Sequence, residues 1–545
     1  MSSSPAAKHQ TKHLFITGGV VSSLGKGITA ASVAFLLARR GYRVAMQKLD
    51  PYLNVDPGTM SPFQHGEVYV TEDGAEADLD LGHYERFSGV DCTRASNFTA
   101  GRVYQTVLER ERKGEYLGRT VQVIPHITNE INRCIASLGG DEIDIAITEI
   151  GGTAGDIESL PFLEAIRQYR QKVGAKNALF LHLTLVPYIA AAKEVKTKPA
   201  QQSAGILRGI GIMPDFLLCR SEKPLTQDNI EKLAMFCSVP EDNVIQVVDV
   251  PHTIYEVPTE LAKQDFDAKI LRALGLPENE LKIGDWESMV KDYINPRQGE
   301  VTIGVVGKYV SVSDAYKSIN ESLIHAGIAN HAQVKFLHLE AEQVTAETAS
   351  SLLKDCHGIL VPGGFGDRGV AGKIETIRYA RENKVPLFGI CLGMQLACIE
   401  TARNVAGLAD ANSTEFDMHS KNPVIDLMHD QRSVTQMGGT MRLGSYPCEL
   451  KPGTKSAAAY GQTRITERHR HRYEFNNAFR PALEKAGLVF AGTSPNGELV
   501  EIVERPDHPW FVAGQFHPEF KSTPLKPHPL FRDFVTASLK KRDGQ

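Results

Sequence analysis

"HLFITGGVVSSLGKGITAASVAFLLARRGYRVAMQ", residues 13–47, decides the fold class. His13–Thr17 reads as a strand, and a glycine-rich turn follows. Ile28, Ala31, Val33, Leu36 and Leu37 then recur at helical spacing, with Gly41 as a stop. "RVAMQ" (43–47) resumes as a strand. Strand, loop, helix and strand open a βαβ unit, and the loop lies at the carboxyl end of a strand, where open α/β sheets take ligands. This loop departs from the usual phosphate-binding pattern G-x-x-x-x-G-K-[ST]. Val20 stands five before Gly25, and Lys26 is followed by Gly27, where a hydroxyl would help hold Mg2+. Gly18, Gly19, Gly25 and Gly27 still offer amides around one lysine at a helix start. That arrangement favours phosphate binding over a plain turn.

The pattern continues downstream. "IDIAITEI" (143–150), "NALFLHLTLV" (177–186) and "DFLLCR" (215–220) read as buried strands. Residues 276–299 turn polar and proline-bearing and read as a linker. A second α/β series starts at "VTIGVVG" (301–307) and continues through "QVKFLHL" (333–339), "GILVPGG" (358–364) and "VPLFGI" (385–390). The expected architecture is two α/β domains, residues 1–275 and 300–545. At 545 residues the chain exceeds one ordinary core, and 42% hydrophobic with 23% charged residues is a soluble globular composition. Net charge is −5 with no long run of one sign, which points away from nucleic-acid and membrane surfaces. The most apolar run, 177–192, is broken by His182 and Pro187. Eight cysteines without a C-x-x-C pair support neither a disulfide framework nor a zinc site. The start "MSSSPAAKHQTKH" lacks the apolar core of a secretory signal, so a cytoplasmic protein is expected.

Within "FGICLGMQLA" (388–397) a strand runs through Gly389-Ile390-Cys391-Leu392-Gly393 straight into a helix. The G-x-C-x-G spacing is that of a nucleophile elbow, and a helix N-terminus favours the thiolate. The alternative is a buried core cysteine, the commonest fate of this residue. "WFVAGQFHPEF" (510–520) shifts the balance: a strand ends in His517-Pro518-Glu519. A histidine there can take the thiol proton, and a carboxylate two residues on can orient it.

Over about 300–545 these residues resemble the class I glutamine amidotransferases, which hydrolyse glutamine to glutamate and ammonia. The resemblance implies a catalytic set of Cys391, His517 and Glu519. It makes "PGGFG" (362–366) the oxyanion loop, with the Gly364 and Leu392 amides as donors. Gly393, Met394, Gln395, Glu415 in "NSTEF" and Arg472 in "ERHRHRYE" join Gly364 and Leu392 as the residues that hold glutamine. For Arg472 the alternative is a solvated basic face.

Ammonia made in one half needs an acceptor, so the first half is expected to activate a carbonyl oxygen. Without a hydroxyl after Lys26, a metal would need carboxylates. Glu149, ending an apolar strand, and Asp80, in the acidic run 72–87, are the candidates. "GGVVSSLGKG" (18–27), the run from Lys48 to Phe87, "EIGGTAGDIESLPF" (149–162), "VKTKP" (195–199) and "GGTMRLG" (438–444) together resemble the CTP synthase family over nearly the whole chain. That family joins a dethiobiotin-synthetase-like P-loop synthetase domain to the amidotransferase domain. ATP phosphorylates O4 of UTP, and ammonia displaces the phosphate.

The resemblance implies an ATP site of Ser23, Leu24, Gly25, Lys26, Gly27 and Ile28, with Asp80 and Glu149 on Mg2+. Val248, Asp249 and Val250 would hold the adenine, and Lys26 and Lys48 would neutralise the transferring phosphoryl group. Ser22, Lys196, Thr197, Lys198, Pro199, Ala200, Gln201 and Lys232 form its UTP site, with the two lysines of "EVKTKPAQQ" read on one side of an extended segment. An overlapping site for CTP, the feedback inhibitor, uses Asp156, Ile157 and Glu158. It further implies activation by GTP near Arg368 and Gly369, an ammonia gate at His65, and a homotetramer built as a dimer of dimers. A rival amidotransferase acting on a cofactor carboxylate would share the loop and Cys391, but not "VKTKP" or Glu519. A non-catalytic scaffold would leave Cys391, His517 and Glu519 unexplained.

Overall fold

Short apolar runs alternating with amphipathic helices build two α/β units in the computed structural model, which describes residues 10–310, 312–427 and 439–545. Gly438 of "GGTMRLG" lies outside the described residues. The first unit takes in the chain up to Asp56 and Asp80–Val290. The strands of its main sheet are β1 (Lys12–Gly19), β2 (Val44–Asp50), β3 (Asn97–Thr99), β4 (Ile145–Ile150), β5 (Ala178–Leu185), β6 (Phe216–Ser221) and β7 (Val244–Val248). They form one all-parallel sheet in the order β7-β6-β5-β1-β4-β2-β3. Leu14, Phe15 and Ile16 of β1 are fully buried, as a strand covered on both faces requires. Helix α1 (Lys26–Arg39) follows the loop and buries most of its length, from Lys26 to Leu37.

The polar stretch 276–299 contains the helix Gly284–Ile294. Trp286, Met289 and Val290 fall on one face of it and are buried. The Trp286 ring lies 4.3 Å from that of Phe35 on α1, and its indole N–H donates to the Tyr255 carbonyl at 2.8 Å. Three apolar residues among many charges were too sparse to read as a helix.

The second unit consists of Pro57–Leu79 and Lys291–Gln545. The strands of its main sheet are β8 (Glu300–Gly307), β9 (Gln333–Glu340), β10 (Gly358–Val361), β11 (Leu387–Ile390), β12 (Arg442–Leu450), β13 (Arg464–His471), β14 (Val489–Thr493), β15 (Val500–Glu504) and β16 (Phe511–Gly514). The order is β9-β8-β10-β11-β16-β15-β14-β12-β13, parallel as far as β16 and antiparallel beyond it. Residues 57–79 thus fold with the second unit, whereas the sequence reading placed all of 1–275 in one domain. The cause is long-range: Glu72 and Glu76 of this segment are ion-paired to Arg468 and Arg470 of β13. All eight cysteines are free and buried. Among the described residues no helix is long and apolar enough to cross a membrane.

Candidate functional sites

The turn between β1 and α1 is held in a conformation that glycine permits. Gly25 has φ +90°, and a Cβ there would lie 2.6 Å from the Arg220 guanidinium. A Cβ on Gly27 would sit 2.2 Å from the Asp80 carboxylate, and one on Gly18 would strike the Lys26 side chain at 2.6 Å. Lys26 is buried, and its Nζ donates to the Gly152 carbonyl at 2.8 Å. Burial lowers its pKa, opposed by the Glu149 carboxylate. Lys48, on β2, pairs with Asp80 and lies 3.6 Å from Asp50. Burial and the nearby Asp80 push Glu149 up to about 7, and its carboxylate accepts the Tyr84 hydroxyl.

Two carboxylates and two lysines therefore face the glycine loop. Among the described residues no three His, Cys, Asp or Glu side chains converge as metal ligands. Two carboxylates beside a glycine loop nonetheless fit Mg2+, which takes one or two carboxylates and completes its shell with phosphate oxygens and water.

Arg220, at the end of β6, bridges this loop to the neighbouring strand end. It donates to the Leu24 carbonyl at 2.9 Å and to Asp249 at 3.0 Å. Behind the loop, Thr17 Oγ1 lies 2.9 Å from His182 Nδ1, and His182 Nε2 lies 2.8 Å from Ser203 Oγ. Burial pushes His182 down to about 3, so its ring is neutral.

In the second unit Cys391 stands between β11 and the helix Leu392–Asn404, with φ +51°. A positive φ on a non-glycine residue is costly and clusters at functional sites. A Cβ on Gly393 would lie 2.2 Å from the Val361 carbonyl, and one on Gly389 2.8 Å from Ala513, so both glycines are required by close packing. His517 Nδ1 is 2.7 Å from Glu519 Oε1, while Nε2 is buried without a hydrogen-bond partner. A Cβ on Gly363 would lie 3.1 Å from the His517 ring and 3.5 Å from Cys391 Cβ, which brings the two residues to the same point. Burial lowers the imidazole pKa, but the Glu519 and Cys391 charges outweigh it and push it up to about 10. Gln515 donates to Cys391 Sγ at 3.7 Å and accepts from Gln395 at 3.2 Å.

A cavity of about 290 Å3 opens here, lined by Gly364, Cys391, Arg470 and His517, with Gly58 and Met60 from the 57–79 segment. The loop 362–366 beside it is pinned from several sides. Fully buried Lys373 donates to the Pro362 carbonyl at 3.0 Å, Lys308 donates to the Phe365 carbonyl, and the Gly366 amide donates to Glu415 at 2.7 Å. Burial, with the Lys308 charge behind it, lowers Lys373 to about 7.

The family described as CTP synthase N-terminus matches residues 12–276, and glutamine amidotransferase class-I matches 311–537. A CTP synthase of Carboxydothermus hydrogenoformans is 60% identical over 531 residues, covering 97% of this chain and 99% of its own. One of Fibrobacter succinogenes is 59% identical over 540 residues, covering 98% and 95%. The chain belongs to the CTP synthase family. As a member it is a glutamine-hydrolysing ligase with a nucleotide-binding synthetase half. The solved "Trypanosoma brucei CTPS - glutaminase domain with bound acivicin" is 41% identical, with a TM-score of 0.42, and covers 44% of this chain and 94% of its own.

The residues implied by the CTP synthase resemblance fall into groups. Leu24 to Ile28 form the turn and the first helical residues, with Ser22 and Ser23 exposed before them. Asp80, Glu149, Lys26 and Lys48 converge. Val248 ends β7, and Asp249 is joined to the loop through Arg220. Asp156, Ile157 and Glu158 lie exposed just beyond Gly152 and Ala154, which bond to Lys26 and Gly18. Lys196 is exposed and pairs with Glu194, and Lys232 is exposed on the helix Gln227–Cys237.

The segment from Lys198 is not extended as read: Lys198 opens a helix running to Ile210, because Pro199 pre-sets helical φ in its first turn. Thr197 and Gln201 are buried and bonded to each other at 3.0 Å, so the cations stand at a helix N-terminus. In the thiol site, Leu392, Gly393, Met394 and Gln395 form the buried first turn after Cys391. Arg472 is partly buried just past β13, while Arg470 reaches the cavity wall. Sequence reasoning passed over Arg220, Lys308, Lys373 and Gln515. Arg220 was within reach, since it ends a strand as Glu149 does.

Proposed function

We infer that the chain converts UTP to CTP, with ATP as phosphoryl donor and L-glutamine as nitrogen source. What carries the reading is one chain holding a lysine–carboxylate phosphate site and a Cys391–His517–Glu519 set, within relatives alike over their full length. Cys391 thiolate attacks the carboxamide carbon of glutamine, and the Gly364 and Leu392 amides receive the oxyanion. Imidazolium His517 gives its proton to the departing ammonia. Neutral His517 then takes a proton from water, which opens the thioester and frees glutamate. Gln395, Glu415 and Arg472 hold the substrate's polar ends, with Gly393 and Met394 backing them.

In the first unit the UTP O4 attacks the γ-phosphorus of ATP, giving 4-phospho-UTP and ADP. Ammonia adds at C4, and phosphate leaves with the O4 oxygen. Lys26 and Lys48 offset the charge of the transferring group. Asp80 and Glu149 are the residues to hold Mg2+, which when bound would neutralise the ATP phosphate oxygens. Residues 22–28 and 248–250 take ATP and the adenine. Ser22, Lys196 to Gln201 and Lys232 take UTP, and Asp156 to Glu158 take the inhibitor CTP. GTP activation near Arg368 and Gly369, an ammonia gate at His65, a homotetramer and a cytoplasmic site of action complete the proposal. Purified protein given ATP, UTP, Mg2+ and either glutamine or ammonia should produce CTP, followed by absorbance. Absence of CTP with both nitrogen sources would sink the reading.

A further inference from the structure

We propose that Arg468, anchored by Tyr69 and Glu72, is a positioning residue for His517. Residues 57–79 then serve glutamine hydrolysis, although they lie inside the stretch matched by the synthetase family description. The inference rests on reading His517 as the proton partner of Cys391.

His517, Pro518, Glu519 and Phe520 form one tight turn, with a 3-10 segment over Pro518–Lys521. Arg468 holds both of its ends. The Arg468 carbonyl accepts the His517 backbone N–H at 2.8 Å. Its guanidinium Nη1 donates to the Phe520 carbonyl at 3.3 Å. The Phe520 ring in turn stacks on the His517 imidazole, with centroids 5.3 Å apart and planes inclined by 16°. The imidazole is thus fixed by its own amide on one side and by a stacked ring on the other.

Arg468 itself is almost wholly buried, and most of its partners come from 57–79. Nε donates to Glu72 Oε1 at 2.9 Å, and Nη1 donates to the Tyr69 hydroxyl at 2.9 Å and the Val70 carbonyl at 3.1 Å. The Tyr69 hydroxyl passes the link on, donating to the Phe520 carbonyl at 2.9 Å. Lys521 Nζ stands 3.4 Å from Glu72, and the Glu72 carbonyl accepts the Ser445 amide at 3.0 Å. A buried guanidinium needs such a complete set of partners, since removal of one leaves a buried charge underpaired. The released charge would pull Arg468 towards other acceptors, and Phe520 and His517 would move with it. Misplacement of a catalytic group by about 1 Å can cost on the order of a hundredfold in rate.

The test uses the full-length chain with Tyr69→Phe and Glu72→Gln, and His517→Asn as a control. Glutamine-dependent and ammonia-dependent CTP formation are measured on each, with the pH dependence of Cys391 alkylation by iodoacetamide. Both substitutions should lower glutamine-dependent kcat by about tenfold or more. KM for glutamine should stay within about twofold, because the substrate-holding residues are untouched. The ammonia-dependent rate should be unchanged, and the alkylation profile should move along the pH axis. Equal loss of both rates would show a merely structural role and overturn the proposal, as would parental behaviour in both variants while His517→Asn is inactive with glutamine. Full glutamine-dependent activity in His517→Asn would instead remove the reading of the thiol site beneath it.

Discussion

His517 carries the sharpest consequence of a single side chain's surroundings. With its pKa up at about 10, the ring is protonated at neutral pH, and an imidazolium stands beside Cys391. The proton that His517 gives to the departing ammonia should therefore be lost as pH rises through about 10, and glutamine hydrolysis should fall with it. The imidazolium's contribution to folding has the same sign: fully present below the ordinary value of 6.5 and lost as pH rises through about 10. Glu519→Gln removes the negative charge that does most to hold the proton on the ring, so the alkaline fall should move down by about one pH unit or more. A profile of kcat/KM against pH checks this, and an unmoved alkaline limb would refute it. Lys26 gives a second test at this scale. Phosphorylation precedes amination, so Lys26→Ala should lower CTP formation at least about a hundredfold with either nitrogen source. Unimpaired ammonia-driven synthesis would place the phosphoryl group elsewhere.

Among elements, the elbow joining β11 to the Cys391 helix depends on its backbone more than on its side chains. Gly393→Ala would bring a Cβ to 2.2 Å from the Val361 carbonyl, a backbone atom that cannot swing aside. The substitution should destabilise the second unit by about 1–3 kcal/mol and depress glutamine use, read by thermal denaturation and by assay. A parental melting curve would argue against so tight a packing. This elbow was legible in the sequence because its glycines serve a local turn. β1, β4 and β5 were legible because parallel strands buried on both faces leave continuous apolar runs. What stayed hidden depends on distant partners: the helix at Gly284–Ile294 owes its place to Phe35 and Tyr255, and residues 57–79 owe theirs to Arg468 and Arg470. The cavity roof of Gly58 and Met60 was invisible for the same reason, whereas Cys391, His517 and Glu519 announced themselves by short-range spacing.

At the scale of the whole chain, two chemistries are assigned to two separate sets of residues. The lysine–carboxylate cluster around Lys26, Lys48, Asp80 and Glu149 belongs to the first unit, and the thiol set belongs to the second. No residue of either set is shared, so each reaction should fail alone. Cys391→Ala removes the nucleophile and keeps a small buried side chain at the elbow, although its positive φ persists. Glutamine-dependent CTP formation should drop at least about a thousandfold, because no other side chain can form the thioester. CTP formation from free ammonia should continue at the parental rate, since phosphorylation of UTP needs nothing from Cys391. Parallel assays with glutamine and with ammonium salt at alkaline pH, where more of it is free ammonia, read the two outcomes separately. Loss of both activities in a variant with parental thermal stability would mean that the thiol site also governs UTP phosphorylation. The division of labour between the two units would then be wrong.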